Sequence, residues 1–571
     1  MSSSTGGFRS RARSGQQAGD KRQEKSAEQK RKGNHGERRH ASARGGHKPP
    51  HNKHQGKRPA ADKRVRNKGA QDSAQVAGLD KPRVLAFDVL NRVSDDDAYA
   101  NLVLPKSLRE AGLKGRDAAF ATEITYGCLR NLGIIDTVLG DCSSRELDSL
   151  ATPVLNALRL GAYQLLFTRV DNHAAVDTSV RLVESAGHDR AKGFVNGILR
   201  TIGRTPAKHW ITDLRPPGEL AGLAFEHAHP EWVARSFNTA LWAATQGPHD
   251  AADGVDADAA DGADAGTTDI THNAAHPAET QLALDTVHPE LAAALEADSQ
   301  RPLVHLVARP GEISAEELAL MTGGEQGRYS PYAVYLESGG NPGALEPVQQ
   351  SLAAVQDEGS QLIARALAEV ELSGTDSGRW LDLCAGPGGK AALLGALARI
   401  DGATVDAVEI SQHRAELIRS TVKDLPVTVH VADGRDPGLS PGYDRVLVDA
   451  PCSGLGALRR RPEARWKKDD ADIAELNALQ TQLVQSALRL VRPGGVVVYS
   501  TCSPDVRETR QIVDAVVQAE QTPQVTELPA ATVLPEMPGI SATATTLSAQ
   551  MWPHRHGTDA MFFAVLRRGE D

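Results

Sequence analysis

Two cysteines sit in loops whose composition suits chemistry better than packing. Cys452 lies in Asp449-Ala450-Pro451-Cys452-Ser453-Gly454 and Cys502 in Ser500-Thr501-Cys502-Ser503, each just after an apolar run that reads as a buried strand. A thiol that ionises near neutral pH is a strong nucleophile, and a nearby cation or helix N-terminus promotes that ionisation. Upstream, the run RWLDL passes through Asp382-Leu383-Cys384-Ala385-Gly386-Pro387-Gly388-Gly389-Lys390 and opens into a helix. Glycines there let a ligand approach the backbone and leave the helix N-terminus facing it. Glu409 closes the next run 23 residues after Gly386, where an acid accepts hydrogen bonds from ribose hydroxyls. Asp433 follows the third run, where an acid could meet an adenine ring. There is no GxxxxGK[ST], and acids at successive strand ends suit a neutral or cationic adenosyl ligand better than a phosphate-rich dinucleotide.

Thiols beside such a ligand suit one reaction well. Carbon 5 of cytosine is a poor nucleophile until a thiolate adds to carbon 6, giving an enamine whose carbon 5 attacks a sulfonium methyl. Loss of the carbon-5 proton and elimination of the thiol restore the ring. A hydrogen bond or proton at ring N3, a role for Asp449, assists the addition, and the base must leave its stack to enter the cleft. The residues alone do not rank Cys452 against Cys502. Cys384, inside the Gly-rich loop, reads as a small packing side chain.

The elements that must hold these residues are legible as alternation. From 376 onward, RWLDLCA, TVDAVEI, VTVHVAD, DRVLVDA and GVVVYSTC alternate with helical segments, which implies a parallel sheet covered on both faces. ATVLPEMPG and MFFAVLRR are expected to add strands, one of them antiparallel at the sheet edge. Residues 81–205 carry apolar positions at three- and four-residue steps, the pattern of six or seven packed helices. Short strand-like runs (LVHLVAR, YAVYL) and a helix (SAEELALMTG) suggest a small α/β subdomain. The resulting division is a tail at 1–79, a helical domain at 80–215, a linker and small subdomain at 216–350, and an α/β domain at 351–571.

A chain of 571 residues accommodates such a multidomain plan. Its formal charge of −9 conceals an asymmetry, because residues 1–79 hold twenty Lys/Arg against six Asp/Glu, a net +14. With almost no large apolar side chains this tail is expected to be disordered, and its charge suits a polyanion or simple solubility. A second segment, 247–280, holds seven Asp between 250 and 269 and no Lys or Arg, and reads as a solvated acidic insert. The five cysteines form no CxxC pair, so no zinc site is expected. Without a secretory leader or an apolar run of about 18 residues, the reading is a cytoplasmic monomer without membrane contact.

The motifs LDLCAGPGGK, DAVEIS, VADGRD, DRVLVDAPCSGLGALRRRPEARW and RPGGVVVYSTCS resemble the RNA (cytosine-5) methyltransferases, more narrowly the bacterial Sun/Fmu (RsmB-type) enzymes of small-subunit rRNA. VQDEGSQLIA and DAMFFAVLRR add to the likeness, and 81–205, with RAKGFVNGILRTI, resembles a NusB-type RNA-binding domain. The resemblance implies a Rossmann-like class I methyltransferase domain and an S-adenosylmethionine site at Cys384 through Lys390, Glu409, Asp433 and Asp449. It also places the nucleophile on Cys502 and makes Cys452 the thiol that releases product RNA. The sequence departs from the family after STCS, where Pro504-Asp505-Val506-Arg507-Glu508-Thr509 replaces a more acidic run, and in LVHLVARPG. Arg459, Arg460, Arg461, Arg465, Trp466, Lys467 and Lys468 interleave cations with an aromatic and are candidate RNA contacts, above all Arg461, Arg465 and Trp466. The competing expectations are methylation of tRNA or another RNA, a non-catalytic NusB-like adaptor, and a DNA methyltransferase with Cys452 as nucleophile.

Overall fold

The computed structural model describes residues 79–96, 98–245, 286–337, 340–519, 523–539 and 547–570. The basic tail and the acidic insert therefore lie outside the described residues. The chain opens with seven helices: α1 (Lys81–Asp95), α2 (Ala100–Glu110), α3 (Gly115–Arg130), α4 (Leu132–Cys142), α5 (Thr152–Phe167), α6 (Asn172–Ser185) and α7 (Lys192–Ile202). Local chemistry starts and stops them. Asp80 accepts a hydrogen bond from Arg83 N ahead of Pro82, and Asp171 accepts from His173 N and Ala174 N at the start of α6. Gly187, at φ +79°, ends α6. One core of Leu, Val, Ile and Ala binds the bundle, with Phe87, Leu90, Ile135 and Leu158 in its interior.

Three longer helices follow the short α8 (Ala207–Asp213): α9 (Glu219–Glu226), α10 (Glu231–Thr245) and α11 (Leu291–Ser299). They correct the expectation that 216–350 is a linker plus α/β unit throughout. Their apolar faces share a core with Leu455, Leu458, Trp552 and Ala560, so they belong to the surface of the C-terminal domain. The ends of α10 and of the segment before α11 are tied together, since Asn238 Nδ2 and Trp242 Nε1 both donate to Thr286 O at 3.0 Å. The small subdomain proper is a four-stranded sheet ordered β2-β3-β1-β4, from β1 (Val304–Ala308), β2 (Glu325–Gln326), β3 (Ala333–Leu336) and β4 (Ala353–Val355). Helix α12 (Ala315–Thr322), capped by Ser314, covers it.

Helix α13 (Glu358–Glu369) leads into the main sheet, ordered β10-β12-β9-β8-β5-β6-β7 with β11 (Ala549–Gln550) paired to β12. Its parallel part is β5 (Arg379–Asp382), β6 (Thr404–Glu409), β7 (Val427–Val431), β8 (Tyr443–Asp449) and β9 (Val491–Thr501). Helices α14 (Gly389–Asp401), α15 (Gln412–Thr421), α16 (Asp472–Leu490) and α17 (Arg510–Val517) complete the layers. The central strands are apolar on both faces because both are covered, as in Val446, Leu447 and Val448, each fully buried. Two strand expectations need correcting. ATVLPEMPG forms only a single 3₁₀ turn at Ala530–Thr532, since its proline-punctuated sequence cannot supply a ladder of donors. The antiparallel β12 (Phe562–Arg568) is not at the edge. It lies between β9 and β10 (Val525–Leu528), and β10 takes the edge.

Candidate active site

The site lies where the parallel strands end. β8 and β9 are neighbours, with Asp449 paired to Ser500, so the loops that follow them start side by side. Gly456 N donates to Cys502 O at 2.9 Å and closes the two loops on each other. The outcome is a pair of buried thiols, Cys452 Sγ and Cys502 Sγ, 3.4 Å apart. Their environments divide the roles. Cys502 is pulled below the ordinary thiol range, chiefly by the hydrogen bond from Cys452 and further by the positive charges of Arg461 and Lys390, against burial and Asp449. Cys452 is pushed well above it by its hydrogen bond with Cys502 and by burial, with Glu508 and Asp449 adding to the effect. The two thiols titrate as a coupled pair, with Cys502 the one held lower.

Beneath Cys452 lies a carboxylate that the sequence noted only within a departure from the family run. Glu508 Oε1 accepts from Ser453 N at 2.7 Å and from Gln480 Nε2 at 3.1 Å, while Ser453 Oγ donates to Oε2 at 2.5 Å. Glu508 therefore fixes the backbone next to Cys452, and burial raises its own pKa. Its position six residues after Cys502 carried no periodic or motif signal of that contact.

Across the cleft, Lys390 near the start of α14 reaches the cysteine loop. Its Nζ donates to Asp449 Oδ2 at 2.8 Å and to Ser360 Oγ at 3.3 Å, and Ser500 Oγ donates to Asp449 Oδ1 at 3.2 Å. Lys390 thus ties the Gly-rich loop to the thiol loop. Gly386 is required by close approach, because a Cβ there would come 2.0 Å from Glu409 Oε2 and 2.6 Å from Arg414 Nη2. Gly388, at φ +111°, makes the turn into α14, after the cis Gly386–Pro387 bond. Cys384 is held by its backbone N–H to Asp382 Oδ1 at 3.3 Å, and burial and Asp382 push its thiol well up, in keeping with a packing role.

The loop has the features an adenosyl ligand with a positive sulfonium would need. Asp382 is fully buried with Oδ2 unpartnered, and burial followed by the charge of Asp449 pushes it up to about 7. Gln356, 2% exposed, has both side-chain amide atoms unpartnered, and its Nε2 lies 3.6 Å from where a Cβ of Gly389 would be. Buried polar groups without partners are rare in folded chains and mark places a ligand can complete. Glu409 closes β6 on the same rim, accepting from Ser411 N at 2.8 Å and pairing with Arg414 at 3.3 Å. Asp433 is engaged differently, gripped by its own Arg435, which holds its carboxyl below the usual range. Its neighbour Gly434 packs against the end of the β5 strand, where a Cβ would meet Leu383 O at 2.9 Å.

The segment expected to meet RNA is instead largely internal. Arg465 is 0% exposed and donates to Asp298 Oδ2 at 3.0 Å and to Ala228 O at 3.0 Å. Trp466 Nε1 donates to Leu129 O at 3.1 Å on the helical bundle, and Arg459 and Arg460 pair with Asp357 and Asp559. Arg465 and Trp466, expected as RNA contacts, take part in a seam between bundle and C-terminal domain. Their partners lie far away in sequence, where spacing carries no information. Arg461 differs, being 7% exposed and close enough to Cys502 for its charge to favour the thiolate.

Comparison with known proteins agrees with this arrangement. Residues 369–567 match the family model of the 16S rRNA methyltransferase RsmB/F, and residues 80–204 match the NusB family. A Mycobacterium tuberculosis chain named as a methyltransferase, Rv1407, is 48% identical over 86% of this chain and 97% of its own length. Ribosomal RNA small subunit methyltransferase B of Salmonella agona is 30% identical over 85% of this chain and 98% of its own. The crystal structure of PH0851 shares the fold with a TM-score of 0.66 at 19% identity, covering 86% of this chain and 99% of that one. With a NusB-type bundle joined to a methyltransferase domain whose strand ends carry paired thiols, the chain belongs to the RsmB/F family of S-adenosylmethionine-dependent methyltransferases.

Proposed function

We propose that this protein methylates carbon 5 of a cytosine in small-subunit ribosomal RNA, with Cys502 as covalent nucleophile. The observation that carries the reading is the pair of buried thiols, 3.4 Å apart, at the ends of neighbouring strands beside the glycine loop. Bound S-adenosylmethionine supplies the methyl group as an electrophile. The residues that would hold it are Asp382, the loop Cys384 to Lys390 and Glu409, with Gln356 beside the loop and Asp433 at its rim.

The chain's own residues then act on the flipped cytosine. The Cys502 thiolate adds to carbon 6, forming the S–C6 bond and moving the ring electrons to carbon 5. Once carbon 5 carries the methyl group, loss of its proton lets the S–C6 bond break, returning the electron pair to Cys502. Because Asp449 already accepts from Lys390 and Ser500, the donor toward N3 or O2 is the Lys390 ammonium, with Asp449 holding it in place. Cys452 stays protonated beside the adduct and is assigned to the release step. Arg461, next to the thiols, is the remaining candidate for an RNA phosphate.

The test is transfer of labelled methyl from S-adenosylmethionine to unmodified small-subunit rRNA, with tRNA in parallel. Wild type should give 5-methylcytosine in rRNA, Cys502→Ala should abolish it, and Cys452→Ala should leave RNA covalently attached to the protein. Methylation that survives Cys502→Ala but not Cys452→Ala would reverse the two thiols. Label entering tRNA alone would overturn the rRNA assignment.

A further inference from the structure

Arg461 is one of the side chains through which the bundle meets the segment that follows the Cys452 loop. Beyond Cys452 the chain runs along the bundle before entering α16, and it is fastened there at four points. Glu463 Oε1 accepts from Ala100 N at 2.8 Å, and Trp466 Nε1 donates to Leu129 O. Lys467 Nζ donates to Val93 O at 3.1 Å and lies 5.7 Å from the Tyr99 ring centroid. The fourth point is Arg461, whose guanidinium lies 5.8 Å from the centroid of the same ring. Its Nη2 is also 3.7 Å from where a Cβ of Gly454 would be, two residues after Cys452. Arg461 is nearly buried, yet among the described residues no carboxylate forms an ion pair with it.

We propose that Tyr99 of the helical bundle is a positioning residue for methyl transfer, holding the Arg461 guanidinium against its ring so that the cation faces the Cys452–Cys502 pair. The bundle is then part of the active site's electrostatics as well as a module joined to it. An aromatic face orients a cation without neutralising it, so the charge of Arg461, opposed by Glu463 two residues on, still acts on what it faces. The groups facing Cys502 are the Cys452 thiol, Arg461, Lys390 and the opposing Asp449, with Glu508 behind Cys452. Of the two cations, Lys390 is paired with Asp449, which leaves Arg461 as the one whose placement depends on a residue outside the methyltransferase domain.

The catalytic meaning of this placement rests on Cys502 being the nucleophile, but its test does not. In full-length protein without RNA, pulses of iodoacetamide from about pH 5 to about pH 9.5, with the Cys502 peptide quantified by mass spectrometry, report its ionisation. Tyr99→Leu should raise the midpoint by about half a unit or more, roughly threefold less thiolate at neutral pH. Tyr99→Phe should match wild type, and Arg461→Gln should shift at least as far as Tyr99→Leu. The double variant Tyr99→Leu/Arg461→Gln should shift no further than Arg461→Gln alone. With rRNA, Tyr99→Leu should lower kcat at neutral pH and recover it as pH rises. An unmoved midpoint in Tyr99→Leu, with matching circular dichroism, would overturn the proposal, as would a shift that adds to that of Arg461→Gln. If Cys502→Ala still methylates rRNA, the nucleophile assignment fails while the alkylation result stands by itself.

Discussion

Asp382 and Asp444 are both fully buried aspartates on adjacent strands, one at the end of β5 and the other near the start of β8. Asp444 is surrounded by donors: Ser377 N at 3.0 Å, Ser377 Oγ at 2.6 Å, Arg379 N at 3.1 Å and Arg492 Nε at 2.6 Å. Burial pushes it up, but Arg492 and these donors together bring it down to about 2. Asp382 has a single backbone donor and an orphaned oxygen, and burial takes it up to about 7. The same side chain, closed to solvent in both places, is satisfied at one end of the sheet and left incomplete at the other, more deeply buried one. The complete end serves stability, and the incomplete end, where the glycine loop and the thiols gather, is the one a ligand can finish.

Substitutions should separate the two ends. The largest effect on stability is expected from Asp444→Ala, which leaves Arg492 and the Ser377 donors without their acceptor. Urea unfolding should show a loss of about 3 kcal/mol, while activity per folded molecule stays near wild type. Asp382→Asn should do the reverse, weakening S-adenosylmethionine binding about tenfold by calorimetry without lowering the melting temperature at pH 8. The pH course sharpens this. A folded-state pKa raised from 3.8 to about 7 means the contribution of Asp382 to stability is complete below about pH 4 and is lost as pH rises through 7. Asp382→Asn should flatten the decline of Tm across that window, and an unchanged slope would refute the protonated carboxyl. The smallest effect is expected from Gln356→Met, a few-fold loss of cofactor affinity with no loss of stability, since its amide has no partner to lose. A destabilised Gln356→Met would place Gln356 with Asp444 instead.

What could be read in the sequence follows from which forces act locally. The parallel strands were legible because burial on both faces makes them continuously apolar, and DRVLVDA and GVVVYSTC delivered Cys452 and Cys502 to neighbouring strand ends. The start and stop of α6 are local signals, because the Asp171 cap and Gly187 act within a few residues of the helix ends. The Arg459–Lys468 segment was not legible. Arginine and tryptophan side chains give the same one-dimensional signal in water as in a seam, and what decides between them is Asp298, Leu129 and Tyr99, all more than a hundred residues upstream. β10 was missed because four residues of mixed polarity at an edge leave no pattern, and the apolar content of ATVLPEMPG drew the strand assignment there instead.

The join at Thr286 has a consequence for how this chain can change. Asn238 and Trp242 hold Thr286 against α10, so the described chain on either side of residues 246–285 is joined without them. Where two points of a fold are already held together, doubling the length of chain between them costs only about 0.6 kcal/mol of closure entropy. A reporter or affinity handle inserted between 245 and 286 should therefore leave methyl transfer near wild type, and a loss of activity on insertion would show that the join at Thr286 does not insulate the thiols.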